Sequence, residues 1–200
     1  MPAAIVRPAL VLTALLMLIT GAVYPAIVTG FAQLAFPAEA NGSLVRLDGR
    51  VVGSALIGQR FARAEYLHPR PSAAGDGYDG MASGGTNKGP TDAKLADTLI
   101  AGAVARIIAE DGATKGAIPA DYATSSGSGL DPHVSPASAL LQVARIARTR
   151  GADTARVRAL IEQRIEGRTA GLLGEPRVNV LLVNLDLDRE LPRRGAAPRP

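Results

Sequence analysis

Between Arg7 and Glu39 the chain carries no charged residue, and Ala9 to Ile19 within that run is almost wholly aliphatic. An α-helix rises about 1.5 Å per residue, so about 20 residues cross a hydrocarbon core of about 30 Å. Ala9 to Gly30 supplies that length, and the spacing predicts a transmembrane helix over residues 9–31. Tyr24, Phe31 and Phe36 suit the far interface, where aromatic rings gather. Gly21 and Pro25 fall in the outer half, where they either kink the helix or end it. A cleaved secretory signal is the competing reading, with Arg7 as its basic start and Thr20-Gly21-Ala22 as the cleavage site. Apolar character continues past that point through Val23, Ile27, Val28, Phe31 and Leu34, which favours an uncleaved anchor. Either way Arg7 precedes the span and Glu39 follows it. Under the positive-inside rule residues 1–8 are cytoplasmic and residues 40–191 form an extracytoplasmic domain.

The 200 residues hold one domain of ordinary size beside that segment. The chain has no Cys, which excludes disulfides, thiolate metal sites, iron–sulfur clusters and cysteine nucleophiles. Two His leave little for a zinc site. Lys plus Arg number 22 against 18 Asp plus Glu, a small excess without a concentrated patch, and aromatic residues are only 4%. Nucleic-acid binding is therefore not expected.

The remaining chain reads as α+β. Leu44 to Leu47 and Arg50 to Val52 flank Asp48-Gly49, a hairpin with a type I′ turn. Ser72 to Pro90 is a Gly-rich loop. Thr91 or Asp92 caps a helix in which Leu95, Leu99, Ala103 and Ile107 recur every four residues, so one face should be buried before Gly112 closes it. Ser135-Pro136 opens a helix to Arg150. After Gly151, Asp153 caps another that runs through Ile165 to Gly167. Val178 to Leu187 is apolar on both faces early and alternating late, and is expected to be a mostly buried strand. The Pro/Arg tail, 192–200, is expected to be disordered.

Few residues invite chemistry. Gly84-Gly85-Thr86-Asn87-Lys88-Gly89 lacks the Gly-Lys-Ser/Thr ending of a P-loop. Ser83, Gly84, Gly85 and Asn87 remain weak nucleotide or partner candidates, because consecutive amides before a helix can meet a phosphate, although the glycines also suit a plain turn. Ser128, Asp131 and His133, with Ser126 nearby, form a conceivable hydrolytic set, which would make the chain an envelope hydrolase. Their closeness in one Gly/Pro-rich loop argues instead for turn bonds that tie the loop to the helix at Ser135. His68 and Arg70 lie in Leu67-His68-Pro69-Arg70-Pro71, whose prolines should hold the backbone extended and present both side chains outward. Gly85, Ser128, Gly129, Asp131, His133, His68 and Arg70 are the candidates for docking a partner. Arg145, Arg148, Arg150, Arg156, Arg158, Arg164 and Arg168 read as a solvated face, which could also meet anionic lipid or an acidic partner.

Five separated blocks, Gly53 to Gln59, Tyr66 to Ala73, Ser83 to Pro90, Ser126 to His133 and Gly174 to Leu181, together with the N-terminal span, closely resemble the C subunit of the potassium-transporting P-type ATPase, the KdpC family. The resemblance covers Arg7 to Leu187, and departs at Leu67, where an aromatic is typical, and at Thr86 and Lys88. It implies an accessory, non-catalytic subunit of the inner membrane. The implied partners are a channel-like potassium-translocating subunit, an ATP-hydrolysing P-type subunit and a small membrane peptide. It also implies assembly of that complex and a catalytic-chaperone role that raises ATP affinity, with no tightly bound cofactor and ATP held by the partner. An extracytoplasmic domain cannot touch cytoplasmic ATP, so such an effect would be allosteric.

Overall fold

The computed structural model describes residues 2–192. The chain divides into two units, Met1–Val52 and Gly53–Pro200. In the first, helix α1 (Pro2–Leu18), a π-helical turn (Ile19–Val23) and helix α2 (Tyr24–Ala35) follow one another without a break, because Leu18 and Tyr24 at the junctions keep helical backbone angles. Ala4–Ala35 is apolar and long enough to cross a bilayer, extending past both ends of the 9–31 expected. Its large side chains, among them Leu10, Leu15, Leu18, Ile27 and Phe31, are exposed. Pro25 and Gly21 therefore neither end nor sharply break the helix. Pro25 has no N–H to give the Gly21 carbonyl, and its ring crowds that oxygen; the wider π turn accommodates both. Thr20 Oγ1 adds a bond to the Leu16 carbonyl at 2.7 Å. A short helix α3 (Pro37–Ala40) follows. Strands β1 (Leu44–Leu47) and β2 (Arg50–Ser54) pair around Asp48 (φ 50°) and Gly49 (φ 76°), the two left-handed residues a type I′ turn requires.

The second unit is α+β. A three-stranded antiparallel sheet runs β3 (His133–Val134), β5 (Arg177–Asn179), β4 (Ile165–Glu166), with Val134 and Ile165 both opposite Val178. Helices α6 (Pro136–Leu141), α7 (Val143–Arg150), α8 (Thr154–Gln163) and α9 (Val180–Glu190) build the main core with it, around Leu67, Ile146, Ile161, Val183 and Leu187. Ser135 and Asp153 cap α6 and α8 as the sequence predicts, accepting from Ser138 N and Ala155 N, and Gly151 ends α7 at φ 63°.

Four expectations fail. The helix expected from Pro136 to Arg150 is broken at Gln142 into α6 and α7. The segment from Val178 is a strand only to Asn179, whose side chain then accepts from Leu182 N and starts α9. Buried Val180, Val183, Asn184 and Leu187 recur at helical spacing, a pattern that the apolar run concealed. Helix α8 stops at Gln163 rather than Gly167, because Ile165 and Glu166 are claimed by the sheet. The helix after Asp92 begins as a π-helix (Lys94–Ile100) and continues as α4 (Ala101–Asp111), closed by left-handed Gly112. Of its predicted buried stripe only Ile107 is enclosed, in a small second cluster with Tyr122 and Ala123 of helix α5 (Ala120–Ala123), while Leu99 is 40% exposed. The stripe faces a cluster too small to cover its first two turns. The tail from 193 lies outside the described residues.

Candidate functional site

Polar side chains gather in two places in the second unit. The first is the meeting of the two Gly-rich loops. Gly84 N donates to Ser128 O at 2.8 Å and Ser83 Oγ donates to the same carbonyl at 3.0 Å, which joins Ser83 and Gly84 to Ser128. Ser72 Oγ donates to Gly129 O at 2.6 Å and accepts from Tyr78 N at 2.8 Å. Gly129 is left-handed (φ 67°), and a Cβ there would lie 2.6 Å from Ala74 N and 2.7 Å from Gly84 O. Gly85 is restricted differently. Its φ is ordinary, but a Cβ would come within 3.0 Å of Gly127 O. These glycines let two backbones touch. Asn87 is left-handed (φ 51°).

Beside the loops, Arg70 Nη1 pairs with Asp131 Oδ2 at 2.9 Å and reaches the Thr124 carbonyl through Nε at 3.3 Å. Asp131 Oδ1 accepts from His133 N at 2.9 Å, whereas His133 Nδ1 stands 3.6 Å away, too far for a catalytic relay bond. Burial alone would raise the Asp131 carboxyl, but hydrogen bonds from His133 and Arg70 outweigh it and hold it below the usual carboxylate range. Ser128 Oγ accepts from Leu130 N at 3.1 Å and lies 3.5 Å from Ser126 Oγ. Within the conceivable hydrolytic set, Ser128 Oγ and Asp131 Oδ1 are thus engaged in local turn bonds, Asp131 Oδ2 is held by Arg70, and no relay bond joins Asp131 to the His133 ring. Among the described residues no group of three or more His, Asp or Glu is placed to hold a metal.

The second place is a buried hub that sequence reasoning missed. His68 is not presented outward; it is 4% exposed. Its backbone and that of Leu67 are gripped by two side-chain amides. Gln142 accepts from His68 N at 2.7 Å and donates to His68 O at 3.0 Å, and Asn184 does the same to Leu67 N and O at 2.7 and 3.0 Å. The His68 ring sits between the Arg63 carbonyl, 3.0 Å from Nε2, and Glu110 Oε2, 3.3 Å from Nδ1. Burial, aided by the Arg145 charge, lowers its pKa below the ordinary value.

Arg145 and Arg150 do not belong to a solvated face. The Arg145 guanidinium pairs with the buried Asp111 side chain at 2.7 Å and donates to Ala64 O, Tyr66 O and Gln142 Oε1. Arg150 donates to the Glu65, Leu187 and Leu191 carbonyls and pairs with Asp188 at 3.0 Å. Gln142 and Asn184, polar residues inside otherwise apolar helix runs, were the available sequence signal for this hub.

A family model described as "K+-transporting ATPase, c chain" matches residues 6–189. The chain belongs to the KdpC family. A protein of Gemmatimonas aurantiaca named potassium-transporting ATPase KdpC subunit is 63% identical over 183 residues, 91% of each chain. Those of Myxococcus xanthus and Rhodospirillum rubrum bear the same name and are 58% and 53% identical. The Myxococcus match covers 91% of this chain and 87% of the relative; the Rhodospirillum match covers 93% and 96%. The resemblance read from five sequence blocks is therefore sound. The KdpC match takes in the apolar helix, both Gly-rich loops and the buried hub.

Proposed function

We propose that this chain is an accessory, non-catalytic subunit of a potassium-transporting ATPase, anchored in the inner membrane by its Ala4–Ala35 helix. The observation that carries this reading is a family match continuous from residue 6 to residue 189, through both units, joined by relatives whose name is that of the subunit. Arg7 before the helix and Glu39 after it support a cytoplasmic N-terminus and an extracytoplasmic second unit. The partners are a channel-like potassium-translocating subunit, an ATP-hydrolysing P-type subunit and a small membrane peptide. ATP is the hydrolytic partner's substrate. In this reading the chain assembles the complex and raises its ATP affinity through a coupling free energy between distant sites. The loop surface of Gly85, Ser128, Asp131, His133 and Arg70 is the docking face; Gly129, expected there too, is buried and holds the two loops together beneath it. The hub around His68 fixes the domain behind it.

The test is to purify the complex with and without this chain and to measure the dependence of potassium-stimulated ATPase activity on ATP. Weaker assembly and a raised KM for ATP without the chain are expected. A complex that assembles and shows the same KM without it would refute both roles.

A further inference from the structure

We propose that the cavity where α7 meets the end of α4 is a binding site for a single carboxylate or small oxyanion. It encloses about 150 Å³ and is lined by His68, Glu110, Arg145, Arg148 and Thr149, with alanines completing the wall. Sites for whole small molecules begin at about 300 Å³, so this one takes one functional group rather than a nucleotide. Arg148 and Thr149 are exposed, so the cavity opens at the surface.

The charge balance selects an anion. Glu110 is held by Arg106 at 3.1 Å and faces His68 at 3.3 Å, and Asp111 is held by Arg145 at 2.7 Å. Arg148 has no acidic partner among the described residues. Its hydrogen bond, from Nη2 to Glu110 O, is long at 3.4 Å. A second observation is independent of it. Arg145 has five N–H donors. Nε serves Asp111, the two on Nη1 serve Ala64 O and Tyr66 O, and one on Nη2 serves Gln142 Oε1. The fifth, on Nη2, has no protein acceptor among the described residues, on a residue only 2% exposed. A buried donor left without an acceptor is costly, and an anionic oxygen bridging it to Arg148 would satisfy both groups.

The oxygen can come from a free anion or from an Asp or Glu side chain of another subunit; the second source rests on the function proposed above, the first does not. The full-length chain in detergent is melted against sodium phosphate and sodium acetate at ionic strength fixed with sodium chloride. Saturable stabilisation is expected from a free anion. Arg148→Gln should weaken the apparent Kd about tenfold, as loss of one charge-assisted hydrogen bond implies. Arg148→Lys should keep most of the binding, and Arg156→Gln on exposed α8 should change nothing. If the source is a partner side chain, free anions have no effect. Arg148→Gln, but not Arg156→Gln, then lowers the fraction of the chain that co-purifies with the complex at raised salt by about tenfold. No anion response together with wild-type co-purification of Arg148→Gln overturns the proposal, as does equal loss in both variants.

Discussion

Replacing Arg145 by Met keeps the aliphatic stem in the core and removes only the guanidinium. Four acceptors lose a donor at once: the Asp111 carboxylate, the Ala64 and Tyr66 carbonyls and Gln142 Oε1, at distances of 2.5 to 2.9 Å. The Asp111 side chain is fully enclosed, so its stranded charge is the largest contribution. Removing one member of a buried ion pair costs about 3–5 kcal/mol, a large part of the roughly 5–15 kcal/mol that holds a domain together. At about 2–4 °C per kcal/mol for a chain of this size, the melting temperature should fall by about 6–20 °C. Thermal unfolding followed by near-ultraviolet circular dichroism reports the second unit, where Tyr66, Tyr78 and Tyr122 are packed. The reasoning has a sharper consequence in the double variant. Asp111→Asn removes the stranded charge yet leaves an oxygen for the Tyr122 hydroxyl, which donates to Asp111 at 3.0 Å. Arg145→Met with Asp111→Asn should therefore melt above Arg145→Met alone. A single variant within about 2 °C of wild type, or a double variant less stable than the single, would refute the claim that a desolvated carboxylate governs this site.

Gly129→Ala combines a left-handed backbone with a Cβ 2.6 Å from Ala74 N and should cost more than about 2 kcal/mol, seen as a lowered melting temperature; Gly85→Ala, with ordinary φ, should cost less. His68 titrates lower in the folded state because burial and Arg145 oppose its charge, despite Glu110 opposite. The unfolded chain therefore takes up the proton first as pH drops below about 6.5, and stability should fall from there until the folded value is passed; His68→Gln should flatten this dependence in pH-resolved melting. Leu15→Arg with Leu18→Arg, each charge costing about 2.5–3.5 kcal/mol at the centre of a span, should release the chain from membranes on alkaline washing. Purified chain should hydrolyse neither ATP nor simple esters, and saturable turnover abolished by Ser128→Ala would reopen the hydrolase reading.

What the sequence made legible were the places where one residue decides the backbone locally. Asp48-Gly49 set the hairpin, Ser135 and Asp153 opened helices, and Gly112 and Gly151 ended them in left-handed conformation. The misreadings arose where tertiary partners decide. Val178 to Leu187 is apolar enough to satisfy both periods, and the Asn179 cap, visible only as one Asn among hydrophobics, resolved it. Arg145 and Arg150 look like any other arginine on a basic helix pair because most of their acceptors are backbone carbonyls of residues 64–66, 187 and 191, which leave no trace in side-chain identity. His68 was misplaced for the same reason. Two distant amides grip the backbone of Leu67 and His68 and hold it inside. Of the candidate site, the contact of the two Gly-rich loops and the Arg70, Asp131 and His133 group were nameable residue by residue; their pairing was not.

The grip of Gln142 and Asn184 on Leu67 and His68 also orders events in time. Those bonds join residues 74 and 117 positions apart. The chain between them must be folded back before either bond can form, and each amide is aimed only once α7 and α9 are packed. The 64–68 segment should thus dock in the same cooperative step that closes the core, and leave only when the whole core opens. The amide hydrogens of Leu67 and His68, although they belong to no helix or strand, should exchange with solvent as slowly as those in the middle of α9, so that two loop protons report the global stability of the domain.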